Sequence, residues 1–443
     1  MASPLIRVRT EGFRAIGKAD IIIDGITVVA GENGCGKSTI SKLLYNLYKN
    51  ASDFDSLVSQ ELGIQLRDVH RFLDILQHEI FSINKDRYLR EEIRKELFRI
   101  FRNLDKPVIQ QKENWLSLIK RISNLFVDQP DLFGEDINKL SKERSRFRLR
   151  SILNDVLKIK LDNDSASFSL QMEQLASFVE AIFEEAIGKI KSRPTELFKK
   201  ELRNLYSEGD LPKKFDVIEF DEEIISLDKS SVSIPYLIQN SIYIDTPMMF
   251  GINSSDIQHW DELNEILAKS GKSSFTDLSN EISRHIIHGD VSINDDSDFG
   301  NDFVFKRDDE GVFNLLDCAT GVKSFGMLQL LLKNGSLTDK TLLIIDEPES
   351  HLHPQWIIEY ARLIVLLNKI VGVKFFIASH NPDMVSAIKH ISHKEGVIDQ
   401  VNFYIAEKNG KKYTYNYRHL GSEIDPIFES FNIALERIHY YGK

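Results

Sequence analysis

Cysteine is scarce in this sequence, with two in 443 residues. That excludes a disulfide framework and makes the reducing cytoplasm the expected compartment. Long apolar runs are missing too. The longest, Leu363-Ile364-Val365-Leu366-Leu367, is far short of the roughly 20 residues a membrane helix needs. The segment from Met1 to Arg7 carries no apolar stretch of the secretory kind. No membrane partner is expected. Positive charge is in deficit: 56 lysines and arginines face 67 acids, a net charge of −11. A surface that coats nucleic acid as a whole is excluded, although a local basic patch is not. There is no internal repeat and no low-complexity tract. What is present is ordinary, with 42% hydrophobic and 28% charged residues, which rules out collagen-like and wholly disordered chains. The length fits two or three lobes.

By texture the chain divides into three stretches. Residues 1–45 read as strand, turn, strand, loop and helix, with Ile21-Ile22-Ile23 and Ile26 to Ala30 separated by the turn signal Asp24-Gly25. Residues 46–212 read as helical, charged and poor in glycine. Leu89, Ile93, Leu97, Ile100, Phe101 and Leu104 recur at helical spacing, as do Met172, Leu175, Phe178, Val179, Ile182, Phe183, Ala186 and Ile190. These stripes predict packing within a helical lobe. In 213–443 strands return. Phe215 to Leu227 and Ser241 to Ile244 are strand candidates, and a helical stretch is expected over 254–287. Asp308-Asp309-Glu310-Gly311 reads as a hairpin turn. Thr341 to Ile345 and Lys374 to Ala378 are unbroken apolar runs separated by a helical segment, which predicts a βαβ unit in a parallel sheet. Val401 to Tyr417 reads as a hairpin around Asn409-Gly410, with a short helix from Pro426.

Gly31-Glu32-Asn33-Gly34-Cys35-Gly36-Lys37-Ser38-Thr39 fits the pattern G-x-x-x-x-G-K-[ST], with a β run before it and a helical run after it. The glycines let successive backbone N–H groups turn inward onto phosphate oxygens, at the positive end of a helix. Asn33 to Thr39 are therefore expected to cradle a nucleotide, with Lys37 on the β- and γ-phosphates and the Ser38 hydroxyl on Mg²⁺. Cys35 reads either as an activated thiol beside helix-terminal amides or, the preferred reading, as a small filler.

Ile344-Ile345-Asp346-Glu347-Pro348-Glu349 is an apolar strand ending in acids. The C-terminal edge of an open α/β sheet is where ligands bind. Asp346 is expected to hold Mg²⁺ through water opposite Ser38, leaving Glu347 free as general base toward an attacking water. His380, at the end of the next buried strand, would lie beside the γ-phosphate. His351 and His353 lack further ligands at metal spacing and read as structural.

Together these motifs resemble ABC-type ATPases, within the branch that includes RecF, the SMC proteins and the OLD defence ATPases. The resemblance covers the first 45 residues and roughly 240–400. It implies an α/β fold: an ABC-type P-loop head with a mixed or parallel sheet, split by a large helical insertion, with ATP and Mg²⁺ as ligands. It makes His380 the switch histidine. Ala319-Thr320-Gly321-Val322-Lys323-Ser324 resembles the family's signature, with threonine for serine. Thr320 is expected to cap the helix that follows. Thr320, Gly321 and Lys323 would then face the nucleotide of a second copy, so that two heads sandwich ATP head-to-tail as a homodimer. Phe13-Arg14 resembles the segment whose arginine approaches the nucleotide in SMC-like heads, and reads equally as a surface arginine. No glutamine follows Asp245-Thr246-Pro247, where the family's Q-loop would lie; Asp245 or Thr246 could stand in.

The insertion carries Lys142, Arg144, Arg146, Arg148 and Arg150 with Phe147. This run reads as a DNA or RNA backbone contact or as a solvated helical face. The stretch after His380 is too short for the Toprim nuclease domain of OLD proteins. The chain therefore looks like an ATPase subunit; such insertion-bearing heads resemble the Septu, retron-associated and PARIS ATPases, and the resemblance implies that it gates or scaffolds a separate nuclease or toxin in anti-phage defence. The alternative is a RecF-like DNA-repair ATPase.

Overall fold

The computed structural model describes residues 6–83, 87–102, 108–128, 168–206, 210–245, 258–271, 275–294, 302–410, 413–429 and 440–441. The chain forms two compact units, one of Met1–Ser52 with Thr195–Lys443 and one of Asp53–Pro194. Texture placed the borders at 45 and 212; they fall instead at the end of the first helix and at the start of the helix from Thr195.

The first unit opens with β1 (Ile6–Phe13), β2 (Ile16–Ile22), β3 (Ile26–Ala30) and α1 (Lys37–Ser52). The second unit contains α2 (Phe54–Ile83), α3 (Arg87–Arg102), α4 (Val108–Asp128) and α5 (Phe168–Ser192). Its core joins part of the periodic stripes to Leu62, Leu66 and Phe72 on α2 and Trp115 and Leu118 on α4; Leu89, Phe101 and Leu104 lie outside the described side chains. Ile93, Leu97 and Ile100 are buried on α3, and Met172, Leu175, Val179, Ile182, Phe183 and Ala186 on α5. Ion pairs tie the helices at their rims: Arg121 to Glu92 and Glu96, Lys112 to Glu180, and Lys189 to Glu61. The basic run at 142–150 lies outside the described residues.

The first unit resumes with α6 (Thr195–Leu205), β4 (Lys214–Glu219), β5 (Glu222–Ser226) and β6 (Asn240–Ile244). The single strand candidate Phe215 to Leu227 is thus a hairpin. Its turn residues Phe220 and Asp221 both take positive φ, 53° and 64°, as a tight twisted turn requires. Next come α7 (Gln258–Leu267), α8 (Thr276–Glu281) and a π-helical turn, Ile282–Ile287. The expected helix over 254–287 is therefore broken. Then follow β7 (Gly289–Asn294), β8 (Asp302–Arg307), β9 (Val312–Asn314) and α9 (Thr320–Lys333). The chain continues through β10 (Thr341–Asp346), α10 (Pro354–Val371), β11 (Lys374–Ser379), α11 (Pro382–Glu395), β12 (Val401–Lys408) and β13 (Tyr415–Gly421).

Among the described residues ten strands form one mixed sheet, in the order β5-β4-β1-β2-β13-β12-β3-β11-β10-β6. From β12 to β6 the neighbours are parallel. From β5 to β2 they are antiparallel. Strands buried on both faces need apolar runs, and β3 and β10 are buried at every position. Asp24-Gly25 does not close a hairpin: β3 leaves β2 and inserts between β12 and β11. Helices α7 to α11 bury apolar residues against one side of the parallel strands, including Leu343, Ile345, Phe375 and Ile377. Side chains alternate across a strand, so Asp346 points to the opposite side, where it meets α1. A separate sheet of β7, β8 and β9 stands before α9. Among the described residues no helix is long and apolar enough to cross a membrane.

Candidate functional site

The site lies where the parallel strands end. Ser379 pairs with Ala30, Asp346 with Ala378, and Ile345 with Ile244. Gly31, Glu347, His380 and Asp245 are thus the first residues beyond four neighbouring strands.

The loop after β3 turns tightly. Asn33 and Gly34 are its exposed tip, and Cys35 is fully buried. Gly36 has φ +99°, and a Cβ there would come within 3.0 Å of Ile16 and 3.3 Å of the Tyr417 hydroxyl. The loop is propped from below by Tyr417, whose hydroxyl donates to the Cys35 carbonyl at 2.9 Å. Lys37 is buried at the start of α1, and its ammonium donates to the carbonyls of Gly31 at 2.9 Å and Glu32 at 3.1 Å. Ser38 and Thr39 follow in the first helical turn. Burial pushes the Cys35 thiol up, against the opposing pull of Lys37, which favours the filler reading over an activated thiol.

Asp346 is 5% exposed. One carboxylate oxygen accepts from Ser41 on α1 and the other from the Tyr243 hydroxyl at 3.0 Å. Burial raises its pKa, while hydrogen bonds from Ser41, Ser38 and Tyr243 pull the other way. A buried carboxylate whose neighbours are hydroxyls is suited to a cation rather than to a structural ion pair.

Glu347 sits at φ +50°, in the left-handed region that non-glycine residues seldom adopt. Its N–H donates to the Ala378 carbonyl at 2.7 Å, which fixes the bend. The bend turns its side chain, 42% exposed, out beyond the strand. His380 Nδ1 lies 3.2 Å from Glu347 Oε1 and 3.5 Å from Glu349 Oε1. Asn381 caps α11 by accepting from the N–H groups of Asp383 and Met384. His353 caps α10 through its ring nitrogen and Gln355 N–H. No three His, Cys, Asp or Glu side chains form a metal-holding group among the described residues.

Arg14, at φ +52° in the β1–β2 turn, stacks its guanidinium over the Tyr206 ring at 4.4 Å. Tyr206 in turn donates to the Thr39 carbonyl at 3.3 Å. Asp245 accepts from Trp260 Nε1 at 2.8 Å and lies 3.1 Å from His259 Nε2; Thr246 lies outside the described residues.

The stretch from Thr320 is built elsewhere, on Trp356 of α10. The expectation that Thr320 caps its helix is not met. Ala319 is the N-cap residue, without a side-chain cap bond, and Thr320 is already helical. Ala319, at φ −57° and ψ 145°, keeps the non-helical backbone of a cap, so Thr320 stands one position past it. Lys323 is half-buried in the same first turn. Gly321 is buried, and a Cβ there would come within 2.3 Å of the Trp356 ring. Gly321→Ala is expected to overpack this contact at a cost of about 1–3 kcal/mol. A lowered melting temperature, with a changed near-ultraviolet tryptophan signal, would register it.

Ser41, Tyr243 and Glu349 are the site residues that reading the sequence missed. Ser41 stands one helical turn after Lys37, a spacing that places both on one face. The alternation of β6 signals Tyr243 in the same way.

The fold is of mixed α/β class, with a P-loop between β3 and α1 at the edge of its parallel strands. The chain belongs to the family described as "AAA domain, putative AbiEii toxin, Type IV TA system", whose family model matches residues 26–386. No curated protein matches it. Among solved structures it is similar to an Smc head domain with an extended coiled coil bound to the C-terminal domain of ScpA from Pyrococcus furiosus. Identity there is 13%, coverage 98% of each chain and the TM-score 0.31. It is also similar to the SMC head domain from Thermotoga maritima, at 9% identity, covering 93% of this chain and 97% of that one, with a TM-score of 0.33.

Proposed function

We propose that this protein binds and hydrolyses ATP. The observation that carries this reading is one sheet edge at which a glycine loop, a buried Asp346 and the outward-turned Glu347 with His380 stand side by side. The backbone amides of Asn33 to Thr39 bind the phosphates, and Lys37 swings from the loop carbonyls onto them. Ser38 and Asp346 would hold Mg²⁺, which neutralises phosphate charge when bound. Glu347 accepts the proton of the attacking water, and His380 contacts the γ-phosphate. Purified protein should release phosphate from ATP in the presence of Mg²⁺; absence of both binding and release would defeat the reading.

Asp346→Asn separates the site from the fold. The raised pKa means that the carboxylate's charge disfavours the folded state above the usual aspartate value, more so as pH rises through the raised one. At pH 7 the nucleotide-free Asn variant should melt no lower than the parent. ATP with Mg²⁺ should no longer raise its melting temperature. A thermal scan with and without ligand checks both.

The start of α9 would meet the nucleotide of a second copy, through its N-terminal amides and the side chains of Thr320 and Lys323. ATP then joins two heads head-to-tail. Because this chain carries a nucleotide site with a helical insertion, its output passes through a separate effector, a nuclease or toxin in anti-phage defence. The family description, which names a toxin–antitoxin system, is in keeping with such a pairing. Light scattering with and without ATP tests the dimer. Co-purification with the products of neighbouring genes tests the effector, and a protein that stays monomeric and partnerless under both would defeat this part.

A further inference from the structure

The acid after Pro348 has no part in the chemistry above, yet it is buried at the sheet edge. Glu349 is almost fully buried, with its side chain 4% exposed. Its Oε1 accepts from the Ser379 hydroxyl at 2.9 Å and from the His380 N–H at 3.1 Å. Its Oε2 is buried without a hydrogen bond. The same Oε1 lies 3.5 Å from His380 Nδ1. Nδ1 is itself buried and makes no hydrogen bond, although Glu347 Oε1 also stands 3.2 Å away. The imidazole therefore has two acids of opposite character near its Nδ1. Glu347 is half-exposed on a left-handed bend, whereas Glu349 is fixed by two hydrogen bonds to the strand end that carries the histidine.

We propose that Glu349 is a positioning residue that anchors His380, so that the imidazole keeps its place when Glu347 turns to the attacking water. This rests on the assignment of Glu347 and His380 above. A buried acid is an unfavourable choice for fixing a strand end alone, because a neutral amide would accept the same two hydrogen bonds without the desolvation of a charge. What glutamine lacks is a negative charge facing Nδ1. Once Glu347 turns away, a carboxylate facing Nδ1 would favour the proton there and so set the tautomer, and His380 has to present its other nitrogen toward the phosphate.

The test is Glu349→Gln, compared with His380→Ala and the double variant. Glu349→Gln keeps the acceptor for Ser379 and His380 N–H, so it should fold, and bind ATP within twofold of the parent. Its kcat should fall about tenfold with KM changed less than twofold. The double variant should be no slower than His380→Ala, because both changes act through one imidazole. In ¹⁵N-histidine spectra, the resonance that His380→Ala removes should move in Glu349→Gln. Parental kcat in Glu349→Gln, an unmoved resonance, or full multiplication of the two defects would overturn the inference. A parent that neither binds nor hydrolyses ATP would overturn the nucleotide reading instead, so the two failures are distinct.

Discussion

Glu347→Gln should leave ATP binding intact and lower its hydrolysis by about 10²–10⁴-fold, the usual contribution of a general base. The substitution keeps shape and backbone. Glutamine can hold the left-handed bend at φ +50° and the N–H bond to the Ala378 carbonyl, because neither involves the carboxylate. It cannot take a proton from water. On the proposed reading the phosphate contacts come from the loop and from Lys37, so the substitution leaves them untouched, and ATP should stay bound. A head dimer that forms on ATP should therefore persist in this variant and be seen by light scattering long after the parent has returned to its resting state. Single-turnover release of phosphate is the direct measurement. Hydrolysis at the parental rate would show that another group serves as base.

Lys37→Ala should weaken ATP binding by roughly 100-fold or more, since charge-assisted hydrogen bonds contribute about 1.5–3 kcal/mol each and an ammonium can make two to the phosphates. Without nucleotide the ammonium donates to the carbonyls of Gly31 and Glu32. The alanine variant thus also leaves two loop carbonyls without their donor. Loop order falls together with affinity, and calorimetric titration would read the sum. Binding within threefold of the parent would mean that the lysine is a loop brace only.

The parts of this site that could be read in the sequence are those where the chemistry is contiguous. A glycine loop between a strand and a helix, or two acids ending an apolar strand, carries its geometry in its own spacing. Asp346 and Glu347 are neighbours, and strand alternation with the bend at Glu347 separates their tasks. The bonds that set the acids' environment come from afar: Tyr243 and Ser41 reach Asp346 across 103 and 305 residues. Their partners could not be known before the strand order was. The same limit explains Asp24-Gly25, where a turn signal gave no hint that the next strand leaves its neighbour for the middle of the sheet. The break of the helix before β7 into a π-helical turn had no signal in composition at all. In the helical unit the apolar periodicity marks the buried faces of α3 and α5 where they are described.

The position of β3 also governs when the site can come into being. On one side it is flanked by β11 and on the other by β12. The loop it carries is propped by Tyr417, which lies 382 residues beyond Cys35. The strand that bears the phosphate loop is made early during synthesis, and both strands that complete its bed are made late. A nascent chain on the ribosome has no seat for its phosphate loop until β11 and β12 have emerged. Long-range pairing of this kind is slow and leaves apolar strand edges exposed in the meantime. The bed of the phosphate loop is thereby completed only once the chain has been made as far as Tyr417.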